Sequence, residues 1–388
     1  MKKYKKFFGI MILLLCVLYH SDISAQTNGN LIVIGKSIEF DSKILNEKRT
    51  IQIYLPESYQ NNLYNYPVFY VLDGEDNFTN AASIVKNQSS YYQHISEMIV
   101  VAISSANRNK TFSIIDGGAD KTLNFIKDEL IPYIDSAYRT EKFRILFGHS
   151  LSGPFCFYAL SKSSDLFNAF IILSPTMHNK ICQPATKALE DCFNSQKQLS
   201  KIIYVGVAEG DNIKHQESFE IVKNLFTTKA PKTIESKFET LYGEDHFTEA
   251  LLGIYEGLNF IYKSWRIPKE VIENANVSLL KSHIDSLSTK YGYKIKYPES
   301  LLTYIGMEFV DPEAEHPVSR EKMASAAKEI FEMNIENYPQ SSNAYFVLGT
   351  YYMFNGNKEL ALKNLEKAIE LNPNNQKAQD RLKKLKEK

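Results

Sequence analysis

The sequence has few cysteines and no paired cysteine motif. Four of its 388 residues are cysteine, with no Cys-x-x-Cys arrangement and no spacing typical of Cys and His metal ligands. This pattern argues against a disulfide framework and against a structural zinc site. Cys182 and Cys192 are close enough in sequence to pair in an oxidising compartment, but buried free thiols are an equally good interpretation, so the pairing stays open.

The chain also lacks an excess of charge of either sign. It has 45 basic and 45 acidic residues, so its formal net charge is zero. Proteins that bind nucleic acid through its phosphates carry a basic surface, and this composition has no excess of basic residues to form one. Its hydrophobic fraction of 44% is typical of a globular protein with a packed core. We therefore expect no nucleic-acid partner.

A prominent apolar run occurs at the N-terminus. Lysines precede an apolar stretch over residues 7–18, which is too short to span a bilayer. Small residues up to Ala25 follow this stretch and are typical of a cleavage site, so residues 1–25 are predicted to be a signal peptide. No second apolar run reaches spanning length, and we expect a periplasmic or secreted mature chain without a membrane span.

Residues 26–267 alternate short β-rich segments with helical patterns. Helical spacing of apolar residues is found at 215–228 and 249–265. Nearly continuous apolar runs indicate strands that are buried on both faces. The alternation predicts an α/β domain with a largely parallel sheet. The predicted strands are 51–55, 68–72, 99–103, 144–147, 170–173, 202–207 and 237–241.

Residues 268–388 form a different region, which is helical and rich in Lys and Glu. Residues 342–375 resemble a tetratricopeptide repeat, with Leu348-Gly349 and Pro373 at the offsets of that motif. Fewer than three repeats do not bury a core alone, so we expect this tail to pack on its neighbour. A protein partner for the tail is a further hypothesis.

A candidate nucleophile follows the predicted strand 144–147. Gly148 and Ser150 stand where a nucleophile elbow needs a small residue and a serine. The turn from strand to helix lifts the hydroxyl above the sheet and places the N–H of Leu151 beside the developing oxyanion. The sequence departs from the motif at one position, because Ser152 replaces the usual glycine.

A serine nucleophile needs a base, which in turn is oriented by an acid. His246 is the best candidate for the base, since it follows the last predicted strand and precedes a helix. The acid is expected after strand 202–207, where Glu209 and Asp211 both lie. Glu209 is our prediction and Asp211 the runner-up. The second oxyanion donor is predicted to be the N–H of Glu75, after strand 68–72.

Several of these segments together carry a family resemblance. They are residues 66–74, 129–140, 148–151, 206–210, and His246 with 255–258. This set resembles the Putative esterase family of α/β-hydrolases, which includes esterase D and feruloyl and siderophore esterases. The resemblance implies the α/β-hydrolase fold, with Ser150 as nucleophile, Glu209 as acid and His246 as base. The segment 107–112 departs from the family pattern.

The predicted function is that of an exported serine hydrolase that cleaves carboxylic esters through an acyl-enzyme, with no metal or organic cofactor. The expected substrate is a small-molecule, glycan or siderophore ester. Two alternatives remain open. One is a catalytically silent hydrolase fold that binds a partner through its tail, and the other is an acyltransferase that uses the same site.

Overall fold

A central eight-stranded sheet organises the part of the protein that the structure describes. The computed structural model describes residues 33–60, 62–91, 93–311 and 317–387, so the predicted signal peptide lies outside the described residues. The strands are β1 Lys36–Ser42, β2 Glu47–Tyr54, β3 Tyr66–Leu72, β4 Ile99–Ile103, β5 Thr140–His149, β6 Ala169–Leu173, β7 Ile202–Ala208 and β8 Glu235–Leu241.

The helices fall into two groups. Those within the α/β region are α1 Gly74–Lys86, α2 Arg108–Phe112, α3 Gly118–Phe125, α4 Ile131–Ala137, α5 Ser152–Lys162, α6 Pro184–Ser195, α7 Ile213–Lys229 and α8 Glu249–Ile261. Those of the tail are α9 Lys269–Glu273, α10 Val277–Tyr291, α11 Glu299–Val310, α12 Arg320–Asn337, α13 Ser342–Phe354, α14 Lys358–Leu371 and α15 Gln376–Lys386. Short π-helical turns, Asn87–Tyr91 and Ile126–Leu130, follow α1 and join α3 to α4.

The strand order in the sheet is β1-β2-β4-β3-β5-β6-β7-β8. β1 pairs with β2, and β2 with β4, in antiparallel fashion, whereas all the other pairs are parallel. This mostly parallel sheet with helices on both faces is the predicted α/β-hydrolase fold. Side chains that follow β3, β5, β6, β7 and β8 meet at one edge, because parallel strands all end there.

The sheet is buried on both faces because alternate residues of each strand point to opposite sides. Phe69 and Val71 of β3 belong to one hydrophobic cluster, whereas Val68 and Tyr70 belong to the other. All seven residues of β3 are buried. The near-continuous apolar runs in the sequence follow from this double burial.

The tail packs on one face of the sheet rather than around a core of its own. Trp265, Tyr291 and Tyr297 belong to the same hydrophobic cluster as Phe143 and Ile171 of the sheet. The hydroxyl of Tyr297 donates to the carbonyl of Trp265 at 2.9 Å, and that of Tyr291 donates to the carbonyl of Ile261 at 3.0 Å. The junction is therefore apolar, and the hydroxyls of Tyr291 and Tyr297 are bonded to the backbone across it.

The cysteines and the helices bear on two expectations from the sequence. Cys156, Cys182 and Cys192 are buried free thiols, so the structure favours the unpaired interpretation. Among the residues described, the helices include none that combines the length and the apolar character needed to cross a bilayer.

Candidate active site

Ser150 occupies a strained turn between β5 and α5. Its φ angle is 58°, in a region that non-glycine residues seldom adopt. The turn is held by its backbone, because the Ser150 N–H donates to the carbonyl of Leu173 at 2.9 Å. Gly148 is required two residues earlier, since a Cβ there would lie 2.6 Å from the sulfur of Cys156. Ser150 therefore lies on a strained turn from strand to helix, at the place where the sequence predicts a nucleophile elbow.

A chain of hydrogen bonds leads from this serine to a buried carboxylate. His246 lies in the loop between β8 and α8, and its Nε2 is 3.0 Å from Ser150 Oγ. Its Nδ1 is 2.8 Å from Oδ2 of Asp211, which lies between β7 and α7. A carboxylate only accepts, so the neutral imidazole carries its proton on Nδ1 and offers a free lone pair on Nε2 to the serine.

Glu209 does not reach His246, which corrects the prediction that it is the acid. Its Oε2 accepts a hydrogen bond from the N–H of Gly243 at 3.1 Å. Glu209 directly follows β7 and its backbone still pairs with Leu241 at the end of β8. The turn that begins there carries Asp211, two residues later, into contact with the histidine. Asp211, the runner-up, is therefore the carboxylate that contacts Nδ1 of His246.

Burial and hydrogen bonding set the pKa values of Asp211 and His246, the two titratable groups that these hydrogen bonds join. Burial alone would raise the pKa of Asp211, but the polar groups of Ser174, His215 and His246 outweigh it and lower the pKa to about 2. Burial lowers the pKa of His246 below its usual value, and the hydrogen bond to Asp211 offsets this only in part. At neutral pH the carboxylate is therefore ionised and the imidazole neutral.

The two predicted oxyanion donors lie at the starts of two helices. Leu151 is the N-cap of α5, and Glu75 lies in the first turn of α1. N–H groups at these positions have no partner within the helix, and the helix dipole makes the region favourable for an anion. The loops that carry them are joined, because the Ser152 hydroxyl donates to Asp73 Oδ2 at 2.7 Å.

Asp73 explains why a serine is useful at the position where the motif has glycine. Asp73 is buried in the left-handed region, with a φ angle of 53°. Nε and Nη2 of Arg108 donate to its two carboxylate oxygens at 2.9 Å each. Nη2 of Arg108 also donates to the carbonyl of His149 at 3.0 Å. Burial raises the pKa of Asp73, and Arg108 opposes that rise. Ser152 and Arg108 thus tie the segment after β3 that carries Asp73 and Glu75, here called the oxyanion loop, to the turn at Ser150.

The site contains histidines that the sequence analysis did not assign to it. The rings of four of the chain's eight histidines follow one another in a column. The ring of His246 lies 4.7 Å from that of His149 and 4.4 Å from that of His215, and His215 lies 5.2 Å from His178. His215 Nδ1 is 2.7 Å from Asp211 Oδ1, so one carboxylate serves two imidazoles. The spacing of four residues in Asp211-x-x-x-His215, one turn of helix, is the signal that could have found it.

A second carboxylate, that of Glu249, also lies near Nδ1 of His246. Glu249 Oε1 lies 3.0 Å from His149 Nε2 and 3.9 Å from His246 Nδ1. Its other oxygen, Oε2, is buried and has no hydrogen-bond partner. Two groups in the described part of the chain have the donor types and spacing of a metal site. They are His149, His246 and Glu249, and Asp211, His215 and His246.

Fold and site together define the class of protein as an α/β-hydrolase with a strained serine after its central strand. Residues 42–251 match the model of the esterase family described as Putative esterase, and the chain belongs to this family. It is accordingly a carboxylic ester hydrolase. Residues 342–375 match the tetratricopeptide repeat model, which confirms the repeat predicted there.

Individual relatives agree with this family. The chain is 26% identical over 250 residues to the ferri-bacillibactin esterase BesA of Bacillus subtilis (strain 168), an alignment that covers 55% of this chain and 86% of that protein. A solved IroE-like serine hydrolase from Shewanella oneidensis has a TM-score of 0.65 at 24% identity and covers 78% of this chain and 99% of its own.

A further solved structure extends the likeness over most of the chain. An uncharacterised protein from Capnocytophaga ochracea has a TM-score of 0.60 at 17% identity, covering 91% of this chain and 100% of its own. At such identities these structures describe the fold.

Proposed function

We propose that the protein is an exported serine ester hydrolase that acts through Ser150, His246 and Asp211 by way of an acyl-enzyme. The observation that carries this proposal is the chain of hydrogen bonds from the strained serine through His246 to the buried Asp211, with distances of 3.0 Å and 2.8 Å. A weakly nucleophilic hydroxyl becomes reactive when an oriented base accepts its proton.

The reaction follows from the roles of these groups. As Ser150 Oγ attacks the ester carbonyl, Nε2 of His246 takes the hydroxyl proton and Asp211 stabilises the imidazolium. The N–H groups of Leu151 and Glu75 donate to the oxyanion of the tetrahedral intermediate. His246 returns the proton to the leaving alcohol, which departs from the acyl-enzyme. Water, deprotonated by the same imidazole, then releases the acid and frees the serine.

The proposed substrate is a small-molecule ester of the siderophore type, and a glycan ester is the alternative. The name of the Bacillus relative, a ferri-bacillibactin esterase, supports the first choice. Phe247, beside the base, adds a structural argument. Its side chain is 89% exposed and its ring lies 5.6 Å from that of His246. An exposed ring at this position offers an aromatic acyl group a surface for stacking.

Export belongs to the proposal because of the N-terminal sequence. The lysine-rich start, the short apolar run and the small residues before Gln26 support a signal peptide, and hence a periplasmic or secreted enzyme. Expression in a bacterial host with N-terminal sequencing of the exported protein tests this. A mature chain that begins at Gln26 is expected, and retention of Met1 in the cytoplasmic fraction would contradict it.

The first experiment is labelling of the purified protein with a fluorophosphonate probe. Wild type is expected to be labelled, whereas Ser150→Ala and His246→Ala are not. Ser195→Ala, which alters an exposed serine on α6, is the matched control and keeps full labelling. A folded wild-type protein that does not react would count against the proposed mechanism. Product analysis with short-chain aryl esters, with and without an added alcohol acceptor, then separates hydrolysis from acyl transfer.

A further inference from the structure

Glu249 is a buried carboxylate that the proposed mechanism does not use. Its side chain has no exposed surface, yet among the residues that the structure describes its carboxylate has one hydrogen-bond partner, Nε2 of His149 at 3.0 Å. Oε2 is buried without a partner. Buried polar atoms are nearly always satisfied, because an unpaired carboxylate oxygen in a low dielectric is costly. A buried carboxylate that has one unsatisfied oxygen, and whose other oxygen lies beside two imidazoles, therefore favours a bound ligand.

The donor atoms of Glu249, His149 and His246 are spaced as the ligands of a small metal ion are. Glu249 Oε1 is 3.0 Å from His149 Nε2 and 3.9 Å from His246 Nδ1. His246 Nδ1 is in turn 2.8 Å from Asp211 Oδ2. Zinc bonds of 2.0–2.2 Å in tetrahedral geometry put neighbouring ligand atoms about 3.3–3.6 Å apart. The observed separations bracket that value, so small side-chain shifts suffice.

The chemistry of the donors selects the kind of ion. Two imidazole nitrogens and a carboxylate oxygen suit Zn²⁺ and similar transition ions, whereas Mg²⁺ and Ca²⁺ prefer oxygen ligands alone. The sequence held no motif for such a site, because its donors come from two segments that are far apart in the chain.

We propose that His149, His246 and Glu249 form a zinc site that reversibly inhibits the hydrolase. On binding, Zn²⁺ takes the place of the Nδ1 proton of His246, and that proton leaves to solvent. The imidazole then bears a cation where it had a hydrogen bond to Asp211, so it accepts the serine proton poorly. The inhibition rests on the proposed function, whereas the binding of zinc does not.

Zinc binding is measured first, on the full-length Ser150→Ala variant, by competition of ZnCl₂ with a chromogenic chelator. One zinc ion per chain is expected. Glu249→Gln and His149→Gln, made in the same background, should weaken binding at least about tenfold, as loss of a ligand or its support does. His178→Gln and Glu209→Gln change a nearby histidine and a nearby carboxylate outside the site, and should bind as the parent does. Circular dichroism establishes that each variant is folded.

The second measurement is hydrolysis of a short-chain aryl ester by the otherwise wild-type chain. ZnCl₂ should inhibit it, EDTA should restore it, and MgCl₂ should have no effect. Each variant is compared with its own rate without metal, and inhibition should need at least about tenfold more zinc in Glu249→Gln and His149→Gln.

Two outcomes would overturn the site. One is a parent chain that binds no zinc, and the other is Glu249→Gln and His149→Gln variants that bind zinc as tightly as the parent does. If zinc binds with the expected dependence but no ester is hydrolysed, the metal site stands and the proposed function fails.

Discussion

Three non-glycine residues with positive φ angles stand at the carboxyl edge of the sheet. They are Asp73, Ser150 and Ser174, and each directly follows a strand. In the described part of the tail, from residue 269 on, Ala275 alone has such an angle. The edge is strained and polar, whereas the tail is relaxed and held by apolar packing. Strained residues persist only where their surroundings over-determine them, so the well-packed scaffold is what makes the strained site possible.

The largest expected effect lies at the edge and compares its two neighbouring carboxylates. Asp211→Asn should lower kcat by about 10³–10⁴-fold, because the amide favours the wrong imidazole tautomer and no longer stabilises the imidazolium. Glu209→Gln should change kcat less than about threefold, since the Glu209 carboxylate bonds to the N–H of Gly243 rather than to His246. Steady-state kinetics on an aryl ester measure both. Equal losses in the two variants would contradict the assignment of the acid.

The second prediction tests the apolar packing of the tail against the sheet. Tyr297→Ala should lower the free energy of unfolding by about 3–5 kcal/mol, because it empties a buried aromatic site and unpairs the carbonyl of Trp265. At temperatures where the variant is folded, kcat/KM should be unchanged. Denaturant unfolding followed by the fluorescence of the single tryptophan, Trp265, reads this junction directly.

Tyr304→Ala is the matched control for this junction. Its side chain is 62% exposed on α11, so the loss should be within about 0.5 kcal/mol. If Tyr297→Ala unfolds at the same denaturant concentration as the control, the tail does not brace the sheet in the way that the shared hydrophobic cluster indicates.

The sequence predicts the apolar scaffold better than it predicts the polar edge of the sheet. The buried strands β3 and β4 and the helix α7 could be predicted because burial on two faces, or on one helical face, leaves a periodic apolar pattern. β1 was not predicted, since most of its residues are exposed and its sequence lacks an apolar run. The tail repeat could be placed at 342–375 because its spacing is a property of packed helix pairs.

The site was predictable only in part, for a different physical reason. Ser150 and His246 follow from where strands end, but the choice between Glu209 and Asp211 depends on the path of a turn. Contacts such as His149 with Glu249 and Asp73 with Arg108 join segments far apart in the chain. No periodic pattern encodes such contacts, so the functional edge is harder to predict than the scaffold that supports it.

The smallest expected effect is at Ser152. This is the position where the sequence departs from the motif, and its hydroxyl ties two strained loops together in the structure. Ser152→Ala leaves Asp73 Oδ2 without the hydroxyl that donates to it at 2.7 Å. Loss of one partner of a buried carboxylate costs about 1–3 kcal/mol of stability, and a looser oxyanion loop should lower kcat about tenfold with KM little changed. Ser161→Ala removes a hydroxyl that bonds only to the carbonyl of Phe157 on the same helix, so it should alter neither quantity appreciably. An unchanged kcat in a destabilised Ser152→Ala variant would mean that Arg108 alone holds the oxyanion loop in place.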